Sequence, residues 1–570
     1  MQQYNNSMHF LNLANLFQKI EHTDSSNEIQ KILAEFFRKA DDTEISKIAY
    51  LTLGTIASSY DDVNLGMADK MVIKSIAHAS KKSEQEIKND YNKVGDLGSV
   101  AEKEMLNKRP SLTIDEVFSI LHKIAESKGS GSSAKKTQLL SALLSKATSI
   151  EAKYITRIAL GTLRMGVGEM TILNSLAIAF SDKKNKSALE HAYNICPDIG
   201  IIAQAAAKNK IKGIKPIIGR PIKVMLCQRE ETINDIKKRM YDMIVEEKYD
   251  GERVQIHKNK TTTLFSRRME TITHQYPEIA AAIKKIPGTF IIEGEIVAVD
   301  EKTGALKDFQ TLMQRRRKYD IEKYAKDIPA AVFLFDLLYL NEKSCIDEPL
   351  TKRQEMLKKL IGKNSTLKFA RSIRTDKIKQ TEEFFTECLQ RGTEGIIVKS
   401  AVSKYEPGTR GYNWIKWKPE YSKNLRDTFD LVIVGGFAGR GRRAQTYGAL
   451  LCACYNKKTD TFQTFCKLGS GFTDKQLDEL PKHMQKYKTA QKPSRLTVHK
   501  NMKPDVWFEP KIVVEVTGAE ITKSPLHTAA EDGTGLALRF PRFLRYRIDK
   551  RAEQSTTTEE IIKLSKRMLC

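Results

Sequence analysis

Residues 246–253 read EEKYDGER and hold the most informative pattern of the chain, a lysine (Lys248) followed closely by an Asp-Gly pair. Asp and Gly favour a tight turn beside this lysine. A lysine with an ordinary pKa near ~10.4 is protonated at neutral pH and has no lone pair with which to attack. Burial and nearby cations disfavour the ammonium form, and Arg253 is one such cation. The pattern therefore predicts that Lys248 is held uncharged and acts as a nucleophile.

Chance is the competing explanation for so short a pattern. Lys-x-Asp-Gly arises by accident in roughly one chain of this length in ten, and in roughly one in two hundred when the arginine is added. The function therefore has to be argued from further segments of the chain.

The composition indicates a large protein with a polyanionic partner. A chain of 570 residues is too long for one hydrophobic core, so two to four domains are expected. The 95 Lys and Arg residues exceed the 70 Asp and Glu residues, which leaves a formal net charge of +25. This charge favours nucleic acid as the partner. An acidic membrane surface is the alternative, but no apolar stretch approaches the ~20 residues of a membrane span.

The termini and cysteines bear on location. Residues 1–10 lack the charged and apolar segments of a secretory signal, so we expect an intracellular protein, cytoplasmic in an archaeal source and nuclear in a eukaryotic one. The eight cysteines include no Cys-x-x-Cys pair. Free thiols are therefore expected, and a structural zinc module is not.

Periodicity divides the chain into three parts. Apolar residues recur at helical spacing up to about residue 210, which predicts an all-α domain over 1–214. Short β-rich runs interleaved with helical stretches predict a mixed α/β domain over 215–425. Two of these runs are 289–292 and 296–299. Short strands dominate afterwards, which predicts a small β-barrel over 426–570.

A polar segment of the helical part, KGSGSSAKK at 128–136, precedes a helical pattern. Its free backbone amides, hydroxyls and lysines could hold a phosphate. A flexible Gly-Ser linker explains the same residues equally well.

Two glutamates lie beside apolar strand patterns in the middle part, Glu295 in EGE (293–295) and Glu394 in EGIIVK (394–399). Carboxylates at a cleft wall can bind ribose hydroxyls or hold a Mg²⁺ that neutralises phosphate charge. A solvated surface residue is the alternative for either glutamate taken alone.

Two basic segments follow. In WIKWK (414–418), Lys416 and Lys418 alternate with apolar residues along one predicted strand and face the same side, which suits a phosphate between them. An exposed strand edge protected by lysines is the alternative. The dense basic and aromatic segment RFPRFLRYRIDK (539–550) suits phosphate contact.

Taken together and in order, these segments resemble the collinear motifs of the lysine-dependent nucleotidyl transferases, most closely the ATP-dependent DNA ligases of the archaeal and eukaryotic replicative type. The resemblance covers nearly the whole chain. It is carried by KYDGER (248–253), SRRME (266–270), EGE (293–295), FLFDLLYL (333–340), EGIIVK (394–399), WIKWK (414–418) and RFPRF (539–543), with DFQTLMQRRRKYD (308–320) and LRMGVGE (163–169) in the archaeal style.

The resemblance implies a multidomain fold, with an all-α N-terminal DNA-binding domain, an α/β nucleotidyl transferase (adenylation) domain and a C-terminal β-barrel OB-fold domain. It implies a phosphodiester-forming ligase that uses ATP and Mg²⁺ to seal nicks with a 5′-phosphate and a 3′-hydroxyl in duplex DNA. Lysyl-AMP and a DNA-adenylate are the implied intermediates. Replication, repair and recombination are the implied processes. A monomer is expected, with a sliding clamp as a further partner, although no segment matches a clamp-binding peptide.

The resemblance also implies a role for each matching residue. Lys248 would carry AMP, and the other implied roles fall into four groups. They are adenine and ribose contacts by Glu246, Phe335, Arg253 and Glu295; phosphate contacts by Arg267, Arg410, Lys416 and Lys418; divalent metal binding by Glu394 with Glu295; and pyrophosphate orientation by Arg539 and Lys550. Arg268 stands where eukaryotic relatives often have Asn, so it receives no role. A hinge is expected near 423–428.

Two other functions compete with this one. RNA-capping guanylyltransferases and RNA ligases share the lysine and several motifs, but the helical N-terminal part favours a protein that encircles duplex DNA. A non-catalytic nucleic-acid clamp would explain the charge and would leave Lys248, Glu295 and Glu394 unexplained.

Overall fold

The computed structural model describes residues 7–61, 63–105, 108–163, 165–180, 186–230, 232–316, 321–362, 364, 366–418, 428–439, 446–530 and 534–569. The chain divides into two compact units, Met1–Trp417 and Lys418–Cys570. The first unit contains the helical part and the mixed α/β part. Among the described residues, no helix is both long and apolar enough to cross a membrane.

The helical part is built around one continuous apolar core. The central helix of this part begins after Thr148, whose side chain forms a capping box with Glu151. Each of its residues from Glu151 to Ala159 is buried. The helices are α1 (Phe10–Glu21), α2 (Ser26–Phe37), α3 (Ile45–Thr52), α4 (Asp69–Ser80), α5 (Glu84–Val94), α6 (Leu97–Glu104), α7 (Ile114–Glu126), α8 (Ser132–Lys146), α9 (Ser149–Ala159), α10 (Glu169–Phe180), α11 (Lys186–Ile195) and α12 (Ile199–Ala207).

The mixed part contains two sheets with helices on their outer faces. Its helices are α13 (Ile233–Arg239), α14 (Pro277–Lys284), α15 (Phe309–Met313), α16 (Ile321–Asp327), α17 (Leu350–Ile361) and α18 (Ile378–Gln390). Its strands are β1 (Leu226–Arg229), β2 (Met243–Lys248), β3 (Glu252–Lys258), β4 (Thr262–Ser266), β5 (Phe290–Ala298), β6 (Ala330–Leu340), β7 (Lys343–Ser344), β8 (Leu367–Phe369), β9 (Ser372–Thr375), β10 (Gly395–Ser400) and β11 (Arg410–Trp417).

One sheet has the strand order β1-β11-β10-β2-β9, and the other has the order β4-β3-β5-β6-β7 with β8 paired to β6. Side chains alternate along each strand. In β2 and β10, Val245 and Val398 pack in an apolar cluster with Phe384 of α18. The intervening residues of these strands, among them Glu246 and Lys248, belong to the opposite face. This arrangement places Glu246 and Lys248 in the space between the two sheets.

The prediction of two short strands at 289–292 and 296–299 is wrong, because β5 runs without interruption from Phe290 to Ala298. Glu295 therefore lies inside a strand and not at its edge. Gly294 does not break the strand: a side chain there would lie 2.9 Å from the Phe333 carbonyl oxygen on β6, so the close strand approach requires glycine.

A connecting segment fastens the helical part to the α/β part. The Gly219 N–H donates to Nδ1 of His257 (3.0 Å), and Ile222 exchanges two hydrogen bonds with the Gln255 side chain (2.7 and 3.1 Å). Since Nδ1 of His257 accepts, its Nε2 carries the proton and faces the Gln255 oxygen at 2.9 Å. Burial lowers the pKa of His257 to about 3, which keeps this ring neutral.

The second unit is rich in strands. Its strands are β12 (Phe429–Ala438), β13 (Tyr447–Asn456), β14 (Thr461–Leu468), β15 (Lys488–Thr489), β16 (Leu496–Thr497), β17 (Val506–Phe508), β18 (Val513–Thr517), β19 (Glu520–Ser524), β20 (Gly535–Arg539) and β21 (Arg542–Tyr546), with helices α19 (Asp474–Gln485) and α20 (Thr558–Leu569). The sheet order is β15-β17-β12-β13-β14-β16, with β18 between β12 and β21, and β19 pairs with β20.

A buried ion pair joins α17 to strand β6 in the α/β part. Arg353 of α17 donates to both carboxylate oxygens of Asp336 on β6 (2.7 and 2.9 Å). It also donates to the carbonyl oxygen of Ser403, beyond β10 (3.0 Å). Both side chains of the pair are fully buried. Breaking such a pair leaves an uncompensated buried charge.

We therefore expect Asp336→Ala to lower the free energy of unfolding of the first unit by about 3 kcal/mol, measured by chemical denaturation of the whole protein. The control is Asp347→Ala, which removes an exposed ion pair with Lys404 and should change stability little. Equal stability of the two variants would contradict the structural role of the buried pair.

Candidate active site

Lys248 lies where the two sheets of the α/β part come together. It is the last residue of β2 and pairs with Gly395, the first residue of β10. The Glu394 N–H donates to the Lys248 carbonyl oxygen (2.9 Å), and the Glu394 carboxylate forms an ion pair with Nζ of Lys248. The two side chains are 20% and 25% exposed, so the pair is sheltered and still open to a ligand.

The turn after Lys248 is held against the second sheet. A side chain at Gly251 would lie 2.3 Å from the Ile296 carbonyl oxygen of β5, so only glycine permits this approach. The approach brings Lys248 within electrostatic range of Glu295. The Asp-Gly pair thus joins the lysine of one sheet to the carboxylate of the other.

The prediction that cations hold Lys248 uncharged is wrong for the ligand-free protein. Burial by itself lowers the pKa of Lys248, but the carboxylates of Glu394 and Glu295 more than offset it and raise the pKa. Arg253 does not change this result, because its guanidinium is paired with the fully buried carboxylate of Glu293 (2.8 Å). The lysine is therefore an ammonium ion until its surroundings change.

Glu295 and Glu394 fit the predicted divalent cation. Burial raises the pKa of Glu295 to about 7, and the nearby charge of Glu394 adds to the rise. Burial also raises the pKa of the neighbouring Asp250. Within the described part of the chain there is no cluster of three or more acidic, His or Cys ligands. Mg²⁺ suits such a site, since it commonly takes one or two carboxylates together with substrate phosphates and water.

The groups between the sheets suit a flat base, and we call the space lined by Glu246, Gln354 and Phe335 the base slot. The Glu246 carboxylate, 2% exposed, forms an ion pair with Nζ of Lys399 (2.5 Å) and accepts a hydrogen bond from Nε2 of Gln354 (2.6 Å). The Lys399 ammonium lies 4.3 Å from the ring centre of Phe335 and 4.1 Å from that of Trp414. Sequence reasoning assigned no role to Lys399 or Gln354. Lys399 could have been identified from its position as a charged residue at the end of an apolar strand. No sequence signal pointed to Gln354.

Arg253 is buried in a polar network at the same cleft. Its guanidinium donates to the Met225 carbonyl oxygen (2.7 Å) and to Glu293, and lies 5.4 Å from the Phe335 ring centre. The hydroxyl of Tyr405 donates to Glu293 as well (2.9 Å). Burial lowers the pKa of Arg253, but Glu293 and Tyr405 outweigh it and raise the pKa. This arginine is a fixed cation.

The predicted phosphate ligands are placed differently from one another. Arg267 lies in the exposed turn after β4, and Arg410 is exposed at the start of β11. Lys416 pairs across β11 and β10 with Ile397, which in turn pairs with Glu246. Lys416 therefore shares the sheet face of Glu246 and Lys248. Lys418 follows the last residue of β11.

The structure does not bring the two predicted pyrophosphate ligands together. Arg539 and Lys550 lie beyond opposite ends of β21. Arg539 donates to the Thr522 hydroxyl (2.8 Å), whereas Lys550 is paired with Asp430 (2.5 Å). The predicted hinge at 423–428 lies outside the described residues except for Thr428.

Comparison with protein families gives three matches. Residues 9–177 match the model described as "DNA ligase N terminus". Residues 224–418 match "ATP dependent DNA ligase domain", and residues 443–550 match "ATP dependent DNA ligase C terminal region". The three models together cover more than half of the chain.

Curated relatives match over nearly the full length. The chain is 44% identical to DNA ligase 1 of Methanosarcina acetivorans, covering 97% of this chain and 98% of that protein. It is 42% identical to a DNA ligase of Pyrobaculum calidifontis, covering 98% and 99%. A solved structure titled "Pmar-Lig_PreS3" matches with a TM-score of 0.55 at 19% identity, covering 94% of this chain and 99% of that one. The three-part fold predicted from sequence is confirmed.

The raised pKa of Lys248 predicts a pH dependence in the ligand-free protein. The neutral amine is scarce well below the pKa and increases about tenfold per pH unit. Reductive methylation of Lys248, followed by peptide mass spectrometry, should therefore accelerate between pH 7 and 9 without a plateau. Glu394→Gln should accelerate it at each pH, because it removes the charge that stabilises the ammonium ion.

Two controls accompany this measurement. Lys260, an exposed lysine beyond β3, normalises the reagent in the same digest, and Glu383→Gln on α18 matches the charge change. A plateau below pH 8 in the unsubstituted protein would contradict the raised pKa.

Proposed function

The chain belongs to the ATP-dependent DNA ligases, and from that membership we propose that Lys248 is the residue that carries AMP while the enzyme seals nicks in duplex DNA. Enzymes of this family use ATP and Mg²⁺ to join a 5′-phosphate to a 3′-hydroxyl. The observation that carries the residue assignment is the sheltered Lys248 ammonium between the carboxylates of Glu394 and Glu295.

The first step has a defined electron balance. The lone pair of Nζ attacks the α-phosphorus of ATP, a P–N bond forms, the bond to the bridging oxygen breaks, and pyrophosphate leaves. The Glu394 carboxylate touches Nζ and is positioned to receive its proton. Mg²⁺ bound by Glu295 and Glu394 would supply positive charge that neutralises the phosphates and weakens the hold of these carboxylates on the ammonium.

The base slot supports the nucleotide assignments. Phe335 presents a ring for stacking, and Glu246 is an acceptor for the adenine amine. Arg253 and Glu295 lie on the sheet that also contains Phe335, and we place the ribose beside them. Lys416 shares the sheet face of Lys248 and suits the α-phosphate, and Arg267, Arg410 and Lys418 are further candidates for phosphate contact.

The P–N bond stores the energy for the later steps. Protonation of its nitrogen makes Lys248 a good leaving group, so AMP can pass to the 5′-phosphate of the nick. The 3′-hydroxyl then displaces AMP and the backbone is sealed. Since different groups are needed in different steps, we propose that the C-terminal domain changes its orientation between them.

We propose the domain limits 1–214 for DNA binding, 215–425 for adenylation and 426–570 for the OB-fold. The loop before α8 supports DNA contact by the first domain, because Gly129 and Gly131 adopt positive φ (83° and 77°) and leave the helix N-terminus open to a phosphate. We further propose an intracellular monomer that works on nicked duplex. A sliding-clamp partner rests on family likeness alone.

The covalent step is tested by Lys248→Ala. This change should abolish labelling of the protein by α-labelled ATP, because the amine that forms the P–N bond is gone, and should leave binding of nicked duplex within about twofold. Lys260→Ala, an exposed lysine beyond β3, should label normally. Covalent AMP that persists in the Lys248→Ala protein would refute the assignment.

The pyrophosphate assignment is tested by Arg539→Ala and Lys550→Ala. Each should slow self-adenylation by about tenfold or more, the effect of losing one charge-assisted contact. Sealing of pre-adenylated nicked DNA, which involves no pyrophosphate, should change less than threefold. Equal losses in both assays would count against the assignment for that residue.

A further inference from the structure

Gln354 reaches from α17 into the space between the two sheets and contacts both walls of the base slot. Its Nε2 donates to Oε1 of Glu246 on β2 (2.6 Å). The same nitrogen donates to the carbonyl oxygen of Phe335 on β6 (3.2 Å). Gln354 is half-buried.

These two contacts fix the orientation of the amide. A glutamine amide has two N–H donors on one nitrogen and acceptor lone pairs on the oxygen. Both neighbours of the nitrogen are acceptors, the Glu246 carboxylate and a backbone carbonyl. A flipped amide would place its oxygen against the carboxylate at hydrogen-bond distance, which is repulsive. The oxygen is therefore the group that Gln354 can offer to a ligand.

The neighbouring Glu246 also offers acceptor oxygens to a ligand. Lys399 occupies its Oε2 (2.5 Å) and Gln354 its Oε1, but an ionised carboxylate has about four lone-pair sites and can accept further bonds. The polar end of the slot therefore contains two acceptors next to each other. The Lys399 ammonium lies over the rings of Phe335 and Trp414.

We propose that Gln354 is a specificity-determining residue, which makes the slot select adenine over guanine. The inference rests on the proposed function, in which Glu246 and Phe335 hold the base. Adenine presents an amine donor at the position where guanine presents a carbonyl acceptor. The amine can donate to both acceptors, whereas the guanine oxygen would face the Glu246 and Gln354 oxygens, to which it cannot donate. A site built for a donor rejects an analogue that lacks it.

A purely structural brace is the competing explanation, because Gln354 also links the two walls. The two explanations differ in one observable. A brace supports any base, so its loss weakens ATP and GTP binding in the same proportion. A specificity residue changes the ratio of the two affinities.

The test is equilibrium binding of ATP and GTP to the full-length protein carrying Lys248→Ala, which removes the covalent step and isolates the base slot. Adding Gln354→Met keeps the side-chain length and removes the amide. The preference for ATP over GTP should fall about tenfold, the effect of one lost acceptor contact. Gln390→Met, an exposed glutamine at the end of α18, is the matched control and should keep the preference.

A second variant tests rescue. Gln354→Glu retains an acceptor oxygen and can share a proton with Glu246, so the preference for ATP should remain within about threefold of the parent. An unchanged ATP-to-GTP ratio in the Gln354→Met protein, or loss of preference in the Gln354→Glu protein, would overturn the proposal.

Kinetic measurements separate this inference from the proposed function. In the protein with Lys248 intact, Gln354→Met should raise the KM for ATP about tenfold in self-adenylation and change kcat and the sealing of pre-adenylated DNA less than threefold. A loss confined to kcat would overturn the specificity role. Absence of any lysyl adduct in the unsubstituted protein would refute the proposed function, while the ATP-to-GTP binding ratio would still decide the role of Gln354.

Discussion

The pairing of the end of β2 with the start of β10 is the constraint on which the site depends. It places Lys248 opposite Gly395, so Glu394 stands beside the lysine amine. A shift of one residue in this register would turn the side chains of one strand to the other face of the sheet. The ammonium would then lie against the apolar cluster under α18 and not in the cleft. The apolar residues that alternate with Glu246 and Lys248 therefore secure the register as well as the core.

Three cations of the cleft are each compensated by a defined partner. Arg353 is paired with Asp336, Arg253 with Glu293, and Lys399 with Glu246. In each buried pair, the attraction between the two charges offsets the loss of their hydration. The cluster around Lys248 differs, because Glu295 and Glu394 together bring more negative charge than one lysine balances. The excess makes this corner receptive to a divalent cation and a nucleotide phosphate.

The sequence was sufficient to predict the helical, mixed and strand-rich parts, because apolar spacing is a local signal. It also drew attention to Lys248, Glu295 and Glu394, since each lies in a short glycine-containing motif. It misjudged β5, which was predicted as two short runs and is one strand in which Gly294 permits close strand approach. The charge state of Lys248 was also misjudged. Arg253 is close to Lys248 in sequence and was expected to lower its pKa, but in the fold Arg253 is paired with Glu293. Gln354 lay outside prediction, since its contacts join residues far apart in the chain.

The hydrogen bonds that tie residues 219–222 to β3 have a mechanical consequence. The Gly219 amide and both peptide groups of Ile222 are held by His257 and Gln255, so the connection is stiff from Gly219 onward. The helical part is attached beyond this point as well, because Arg220 pairs with Asp198 (3.3 Å) and the Lys223 N–H donates to the Asn194 carbonyl oxygen (2.8 Å). The next anchor is Met225, whose carbonyl receives the Arg253 guanidinium. A displacement of the helical part would therefore act on the nucleotide cleft through several contacts of this segment, one of which is the Arg253 guanidinium.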